Sequence, residues 1–393
     1  MLRIFAKIRL LLTKVLTGNE AAVEAVRQVN PDVVAAYPIT PSTKIPEKIS
    51  QLVAQGQMQT EFVPVESEHS ALSACVGASA AGARTFTGTA SQGLALMHEV
   101  FWNAAGLRLP IVVADSCRAL SAPLSIHGDH SDAYSVRDTG WLQFFAASPQ
   151  EVYDTTLLAF PLGEKLQLPV IVCFDGFETS HLSTQVTILA DSLAKKFVGQ
   201  APPRPNLLDF ANPQTFGTHT SPNFYFEFRR QQNAIFTKAS ATIQKLTQQL
   251  SKISQRQIPS LVESYQTKDA KFVAICLGSI AGEIREAVTE LRQKGHKVGV
   301  LRLKAFRPFP AQKILQALPK AQKVAICERT MPVGTVGGPL FCETAAILPK
   351  EISVFNFISG VGQRQFNTKS AKEIFQKLQR AKLPRLNFIG LRG

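Results

Sequence analysis

Four short segments hold most of the residue types able to do chemistry. The first, Pro38-Ile39-Thr40-Pro41-Ser42, directly follows the β-rich run Val33 to Tyr37. Its two prolines fix the backbone and present a hydroxyl just past a strand's C-terminal end, the place where open parallel sheets bind their ligands. A stiff loop whose Thr40 and Ser42 cap the next helix fits the same residues. The second, Glu66-Ser67-Glu68-His69, lies between Phe62 to Val65 and the run Ser70 to Gly82, which is almost wholly Ala, Ser, Gly and Cys. A carboxylate carried into apolar surroundings is costly unless it meets a partner, and desolvation raises its pKa as acid/base work requires. Glu68 is singled out on this ground. The alternative is an acid matched to a helix macrodipole, a role that Glu66 fits better.

The third segment, Ala90-Ser91-Gln92-Gly93, follows Arg84 to Thr87 and suits a substrate- or cofactor-facing turn, although Ser and Gly are ordinary turn residues. The fourth centres on Arg118, after Pro110 to Ala114 and at the same expected sheet edge as Thr40. A guanidinium can grip a small carboxylate with two parallel hydrogen bonds; a solvated surface arginine is the plain alternative. His127-Gly128-Asp129-His130-Ser131-Asp132 crowds two imidazoles and two carboxylates into six residues, yet neighbours along a loop rarely converge on one ion, so loop structure and no metal is the expectation. His181, His219 and His296 stand alone. No P-loop, G-x-G-x-x-G or G-x-S-x-G occurs in a suitable context.

The elements that must position these residues alternate in type. From Gly18 to about Ser180, β-rich runs (Val33 to Tyr37, Phe62 to Val65, Arg84 to Thr87, Pro110 to Ala114, Pro169 to Phe174) are separated by helical stretches, which means βαβ units and a parallel sheet. The Ser70 to Gly82 helix has no polar face and is expected to be buried. Pro202-Pro203-Arg204-Pro205 and the Asn/Pro/Thr-rich run after it break the pattern, and Phe224 to Tyr265 reads as one or two polar amphipathic helices. A second α/β alternation begins at Lys271. The expected organisation is an N-terminal extension (1–17), a first α/β domain (18–200), a connector (201–266) and a second α/β domain (267–393).

Lys and Arg number 43 against 29 Asp and Glu, a formal charge of +14. The basic residues are scattered and form no stripe interleaved with aromatics, which speaks against nucleic acid, and an acidic protein partner explains the excess equally well. Six cysteines without a C-x-x-C pair read as buried thiols of a reducing, cytoplasmic compartment. Charges interrupt every apolar stretch of Met1 to Leu16, which excludes a membrane span there, and no signal-type cleavage site follows. A plain extension is preferred to a presequence-like helix.

Taken together, Tyr-Pro-Ile-Thr-Pro-Ser (37–42), Glu-Ser-Glu-His-Ser-Ala (66–71), Gly-Ala-Ser-Ala-Ala-Gly-Ala-Arg-Thr-Phe-Thr (77–87), Ala-Ser-Gln-Gly-Leu (90–94) and Arg-Ala-Leu-Ser-Ala-Pro (118–123) resemble the alpha subunit of pyruvate:ferredoxin oxidoreductases, within the 2-oxoacid:ferredoxin oxidoreductase family. Gly-Asp-His-Ser-Asp (128–132), Val-Arg-Asp-Thr-Gly-Trp (136–141), Asp-Gly-Phe (175–177), Phe-Arg-Pro-Phe-Pro (306–310) and Gly-Gly-Pro-Leu-Phe (337–341) continue the resemblance in the same order. It implies a pyrimidine-side domain of a thiamine diphosphate site and a second domain similar to the C-terminal domain of transketolase-like enzymes. Glu68 then faces the aminopyrimidine ring, with Pro38 also at the cofactor. By the same resemblance a carboxylic acid there promotes the imino tautomer that removes the thiazolium proton. Thr40 and Arg118 hold the substrate, with Leu124 and Ile126 walling the pocket.

The resemblance further implies pyruvate as substrate, coenzyme A as co-substrate and ferredoxin as acceptor. A beta subunit is to bring magnesium and the diphosphate half, because this chain has no Gly-Asp-Gly followed by a distant Asn; gamma and delta subunits are to carry the iron–sulfur clusters, for which no cysteine set exists here. The same chemistry on a branched-chain or other 2-oxoacid, and a non-catalytic assembly subunit, are the rival readings. The sequence departs from the family pattern at Gln363, where a second Gly is usual, and Gly88 and Asp115 are less typical; these departures bear on substrate subtype and on the packing of the C-terminal domain, not on Glu68, Thr40 or Arg118.

Overall fold

The computed structural model describes residues 11–392; the first ten residues of the expected N-terminal extension lie outside that range. The chain opens with β1 (Leu11–Leu16), α1 (Gly18–Val29), β2 (Val33–Ala36), α2 (Lys44–Ala54), β3 (Glu61–Pro64), α3 (Glu68–Ala80) and β4 (Thr85–Thr89). Next come α4 (Ser91–Leu96), α5 (His98–Gly106), β5 (Ile111–Cys117), α6 (Ser131–Ser135), β6 (Leu142–Ala146), α7 (Pro149–Leu166) and β7 (Val170–Asp175). There follow α8 (Glu178–His181), β8 (Thr184–Leu189), α9 (Asp191–Val198), α10 (Pro222–Ser254), β9 (Val262–Tyr265), β10 (Phe272–Cys276), α11 (Ile280–Gln293), β11 (Val298–Leu303) and β12 (Ala305–Arg307). The last elements are α12 (Ala311–Ala317), β13 (Lys323–Glu328), α13 (Pro339–Ile347), β14 (Ser353–Ile358), α14 (Thr368–Leu378) and β15 (Leu386–Phe388).

Seven strands form the first sheet in the order β12-β6-β7-β5-β4-β2-β3, parallel except for β12 at its edge. Its inner strands β4, β5, β6 and β7 are buried at every position, as expected of a parallel sheet covered on both faces. On one face α1 and α7 supply the core with Ala21, Ala25, Val26, Leu157 and Phe160. Both helices start at built caps: Thr17 and Glu20 make a reciprocal capping box, and the Ser148 hydroxyl accepts from the Glu151 amide. The other face shares one core with the second sheet, Leu72, Cys75, Phe101 and Val113 joining Val273, Ile275, Leu301 and Ile326.

The second sheet runs β15-β14-β13-β10-β11-β9, with only β9 antiparallel. Three expectations need correcting. Residues 262–265, read as the tail of a helical connector, are strand β9, because Pro259 ends the helical pattern and Val262-Glu263-Ser264-Tyr265 alternates with a strand's period. The small-residue helix α3 buries one face only: Ala71, Leu72, Cys75, Ser79 and Ala80 are covered, while Gly77 is exposed and Ser73, Ala74 and Val76 are half-buried. Lack of polar side chains does not itself demand full burial when the outward residues are this small. Cys342 is exposed, whereas the other five thiols are buried as expected. Within the stretch read as an N-terminal extension, β1 pairs with β8.

Candidate active site

The strand order β5-β4-β2-β3 places four sequence-distant segments side by side at one sheet edge. Each leaves the C-terminal end of its strand: Pro38 to Ser42 after β2, Glu66 to His69 after β3, Ala90 to Gly93 after β4, and Arg118 to Ile126 after β5. The chain passes from β2 to β3 on one side and then crosses to β4 on the other, so the crevice between β2 and β4 is a topological switch point, where doubly wound sheets take their ligands.

Glu68 is the first residue of α3, whose N-cap Ser67 accepts from the Ser70 amide at 3.3 Å. Its carboxylate is 6% exposed and makes no side-chain hydrogen bond among the described residues, and burial pushes its pKa above the ordinary glutamate value. Gly93 backs it closely: a Cβ there would lie 2.5 Å from both Glu68 Oε1 and Thr89 Oγ1. Glu66 instead accepts a hydrogen bond from the Ser70 hydroxyl in the open.

Arg118 is buried. Its Nη1 donates to the Thr40 carbonyl at 3.0 Å and its Nε to the Ser125 carbonyl at 3.1 Å. Among the described residues no carboxylate pairs with its guanidinium, and its Nη2 has no partner. A buried cation without a counter-ion is costly, and a ligand carboxylate meeting this guanidinium removes the cost. The loop at Thr40 is held from below, the Asn19 amide donating to the Pro41 carbonyl and the Ser116 hydroxyl to Asn19 Oδ1, both at 2.8 Å. Pro38 and Thr40 are exposed on the rim. Leu124 and Ile126, on the loop that Arg118 grips, are 75% and 44% exposed, so within this chain they leave the crevice open on that side.

Several contributors were not evident in the sequence. Asn19 carries no local signal. Asp132 and Asp175 lie in motifs that read only as loop or as resemblance, yet both are fully buried hubs. Asp175 accepts from His130 Nε2 at 2.8 Å, Arg329 Nη1 at 2.9 Å and the Ser279 amide at 2.6 Å. Burial opposes its ionisation, but the Arg329 and His130 charges outweigh that and hold its carboxyl well below the usual aspartate range. Gln363 also reaches further than expected: its amide donates to the Gly128 carbonyl at 2.8 Å and its side chain meets His127 Nδ1 at 3.2 Å, immediately beyond Ile126.

Between β5 and β7, the ligating atoms of Asp115, Cys117 and Cys173 come within 4.8 Å of one another, a juxtaposition across strands that chain spacing does not reveal. Asp115 is level with Cys173, so the two cysteine Cα atoms are roughly 8 Å apart on a parallel ladder, beyond the reach of a disulfide. A separate cavity of about 230 Å³, lined by Arg137, Arg229 and Arg307 among others, lies beside β12 at the other edge of the sheet, away from Glu68 and Arg118.

A switch-point crevice that holds a buried acid and a buried guanidinium without a carboxylate partner fits an α/β protein that takes an anionic ligand there. Residues 24–248 match the family model "Pyruvate flavodoxin/ferredoxin oxidoreductase, thiamine diP-bdg" and residues 270–371 match "Pyruvate:ferredoxin oxidoreductase core domain II". The chain belongs to the pyruvate:ferredoxin oxidoreductase family, and its first sheet is a thiamine diphosphate-binding domain. It is 40% identical over 96% of its length to the pyruvate synthase subunit PorA of Methanocaldococcus jannaschii, covering 98% of that protein. It is 42% identical to the PorA of Pyrococcus furiosus over 97% of this chain and 98% of that one. The ketoisovalerate oxidoreductase subunit VorA of Pyrococcus abyssi is 40% identical over 94% of each.

Among solved structures, a 2-oxoglutarate:ferredoxin oxidoreductase from Magnetococcus marinus superposes with a TM-score of 0.71 at 22% identity, covering 93% of this chain and 65% of that longer one. A split-gene transketolase superposes at 0.55 with 13% identity, over 92% of this chain and 98% of that one. Both show the shared fold. Among the described residues no helix is long and apolar enough to cross a membrane.

Proposed function

We propose that this chain is the alpha-type subunit of an enzyme that oxidatively decarboxylates pyruvate to acetyl-CoA and carbon dioxide while reducing ferredoxin, and that it activates thiamine diphosphate and holds the substrate. The observation that supports this reading best is the pairing, at one switch point, of a buried acid and a buried guanidinium, neither of which meets an oppositely charged side chain among the described residues. The residues present fit the cofactor: Glu68 offers a carboxyl that burial pushes above its ordinary pKa, and the missing side chain of Gly93 leaves that carboxyl room. When bound, the cofactor supplies the nucleophilic carbon and the electron sink that decarboxylation needs.

With the cofactor bound, Glu68 would face the pyrimidine ring as its proton-exchanging group, and Pro38, exposed on the rim, would lie at the same cofactor. Arg118 orients the substrate carboxylate through its free nitrogen, while Thr40, whose carbonyl Arg118 already holds, offers its hydroxyl. Leu124 and Ile126 exclude water once a partner covers them. Magnesium and the diphosphate fall to a beta-type subunit, and coenzyme A and the iron–sulfur chain to ferredoxin are handled with gamma- and delta-type chains, in the cytoplasm. Five of the six cysteines are buried, four of them as cross-strand neighbours (Cys117 with Cys173, Cys276 with Cys327) and not as a set of four, which suits a chain whose clusters are carried by partners.

A branched-chain 2-oxoacid is the second reading, favoured by the ketoisovalerate oxidoreductase subunit at 40% identity, equal to that of the first pyruvate synthase subunit. The test is anaerobic reduction of a low-potential dye by the complex captured on this chain, given thiamine diphosphate, magnesium, coenzyme A and a panel of 2-oxoacids. Reduction driven by pyruvate supports the first reading, and preference for 3-methyl-2-oxobutanoate moves it to the second. No reduction by any acid, with partners bound and clusters intact, leaves a non-catalytic assembly subunit as the better account.

A further inference from the structure

Asp132 touches neither the crevice nor solvent, yet it joins two of the four site segments. Its Oδ2 accepts the backbone amide of Ser91 at 2.8 Å and that of Arg118 at 2.7 Å, while its Oδ1 accepts the Ala133 amide at 2.7 Å. Ser91 opens the turn that sets Gly93 against Glu68, and it does so in the left-handed region at φ +51°, a conformation that serine adopts only when its surroundings impose it. Two flanking bonds close the same clasp: the Ser91 hydroxyl donates to the Ala119 carbonyl at 2.6 Å, and the Leu120 amide to the Ser131 hydroxyl at 3.1 Å. A single carboxylate oxygen therefore fixes the distance between the turn behind the acid and the strand end that launches the guanidinium.

Building from the reading proposed above, we infer that Asp132 is a positioning residue that keeps the cofactor-facing acid Glu68 and the substrate-gripping Arg118 in register by pinning both of their backbone supports. A fully buried carboxyl with three amide donors is an expensive feature to retain for packing alone, since an apolar residue of similar volume needs no such donors. Its neighbour Asp115, also fully buried, has one oxygen without a partner. Burial pushes both carboxyls up, Asp115 well above the aspartate range and Asp132 to about 7, where three amide hydrogen bonds oppose the rise. The anion is therefore better accommodated at Asp132, the member that does the holding.

The experiment compares the wild-type complex with Asp132→Asn, an isosteric change that leaves at least one of the three amides facing an NH₂ group. The expected result is about a tenfold rise in KM for the 2-oxoacid together with about a tenfold fall in kcat, on the scale of one lost hydrogen bond to a charged group. Thiamine diphosphate binding to the cofactor-stripped complex, measured by calorimetry with magnesium present, weakens to a similar degree. The discriminating measurement is coupling. Added to Arg118→Lys, the Asn change should raise KM little further, and added to Glu68→Gln it should lower kcat little further, whereas a merely structural defect adds in full to both.

Should Asp132→Asn fail to fold, Ser91→Gly loosens the clasp from its other side. It relieves the left-handed strain and deletes the hydroxyl bond to Ala119, and the same rise in KM and fall in kcat are expected without loss of thermal stability. Unchanged KM and kcat in the folded variant, or full additivity in the double variants, overturns the inference while the wild-type complex still turns over. A wild-type complex that reduces no dye with any 2-oxoacid overturns the functional reading and this inference with it.

Discussion

Glu68 and Arg118 share an unusual condition: each is a charged type, each is nearly out of solvent, and neither has a charged partner among the described residues. For the glutamate the consequence is a carboxyl that burial pushes above its ordinary pKa, the direction that acid/base work at a ring nitrogen requires. Replacing Glu68 by Gln keeps the volume and removes the titrating group, and turnover is expected to fall by about a hundredfold to ten-thousandfold, with thermal stability unchanged in the same preparation. Retained turnover would contradict the assigned role. Arg118→Lys keeps the charge but loses the planar fork that reaches the Thr40 and Ser125 carbonyls while leaving a nitrogen free. The expected signature is a raised KM for the 2-oxoacid with kcat less affected, readable from steady-state dye reduction across substrate concentrations.

At the scale of elements, the first turn of α4, directly after β4, does more than its composition suggests. Gly93 is tolerated there because no side chain fits: the nearest atoms to a new Cβ would be Glu68 Oε1 and Thr89 Oγ1 at 2.5 Å, with Glu68 Cγ at 2.7 Å. Relief requires the Thr89 hydroxyl to rotate and the Glu68 side chain to swing away, since the backbone of Thr89 belongs to a strand buried at every position. Gly93→Ala is therefore expected to cost activity about as heavily as loss of the acid while leaving the fold in place, because alanine suits a helix better than glycine does. Dye reduction and thermal unfolding measured side by side check this. Activity near wild type would mean that Glu68 is not held where the geometry places it.

The whole molecule is held by ionic and backbone stitches between its two large sheets. β12 leaves the second alternating segment to pair with β6 of the first sheet, and Arg302 makes two bonds to Glu151, at 2.7 and 2.6 Å, while also meeting Glu263. Arg329, fully buried, joins Asp175 and Glu178. Breaking a buried pair leaves an uncompensated charge, so Arg329→Met is expected to lower stability by roughly 3–5 kcal/mol at neutral pH. The sign of the pH dependence follows from the depressed Asp175. Below the ordinary aspartate value of 3.8 the unfolded chain binds this proton while the folded one does not, so the stabilisation is present above that pH and is lost as pH falls towards the lower folded value. The gap in unfolding midpoint between variant and wild type should therefore be widest near neutrality and shrink under acid. A gap independent of pH would assign the effect to packing instead.

Period and punctuation along the chain were enough to read alternating strands and helices, a parallel sheet, and the strand-end positions of Thr40, Glu68, Ser91 and Arg118, because those depend on local hydrophobic pattern and on proline and glycine. The same information misread residues 262–265 as helix and the outward face of α3 as core, since both outcomes depend on what lies alongside in space. Asn19, Asp132, Asp175 and Arg329 stayed silent for a related reason. Each acts through partners tens of residues away, and a side chain's type does not disclose which distant amide or carboxylate it will meet. Local sequence determined the groups available for chemistry and the ends of the strands that carry them. Only the tertiary structure decided that β2 and β4 lie together, that Arg118 is buried without a counter-ion, and that one oxygen of Asp132 ties two site segments together, because strand order and long-range hydrogen bonds are settled by packing the whole chain at once.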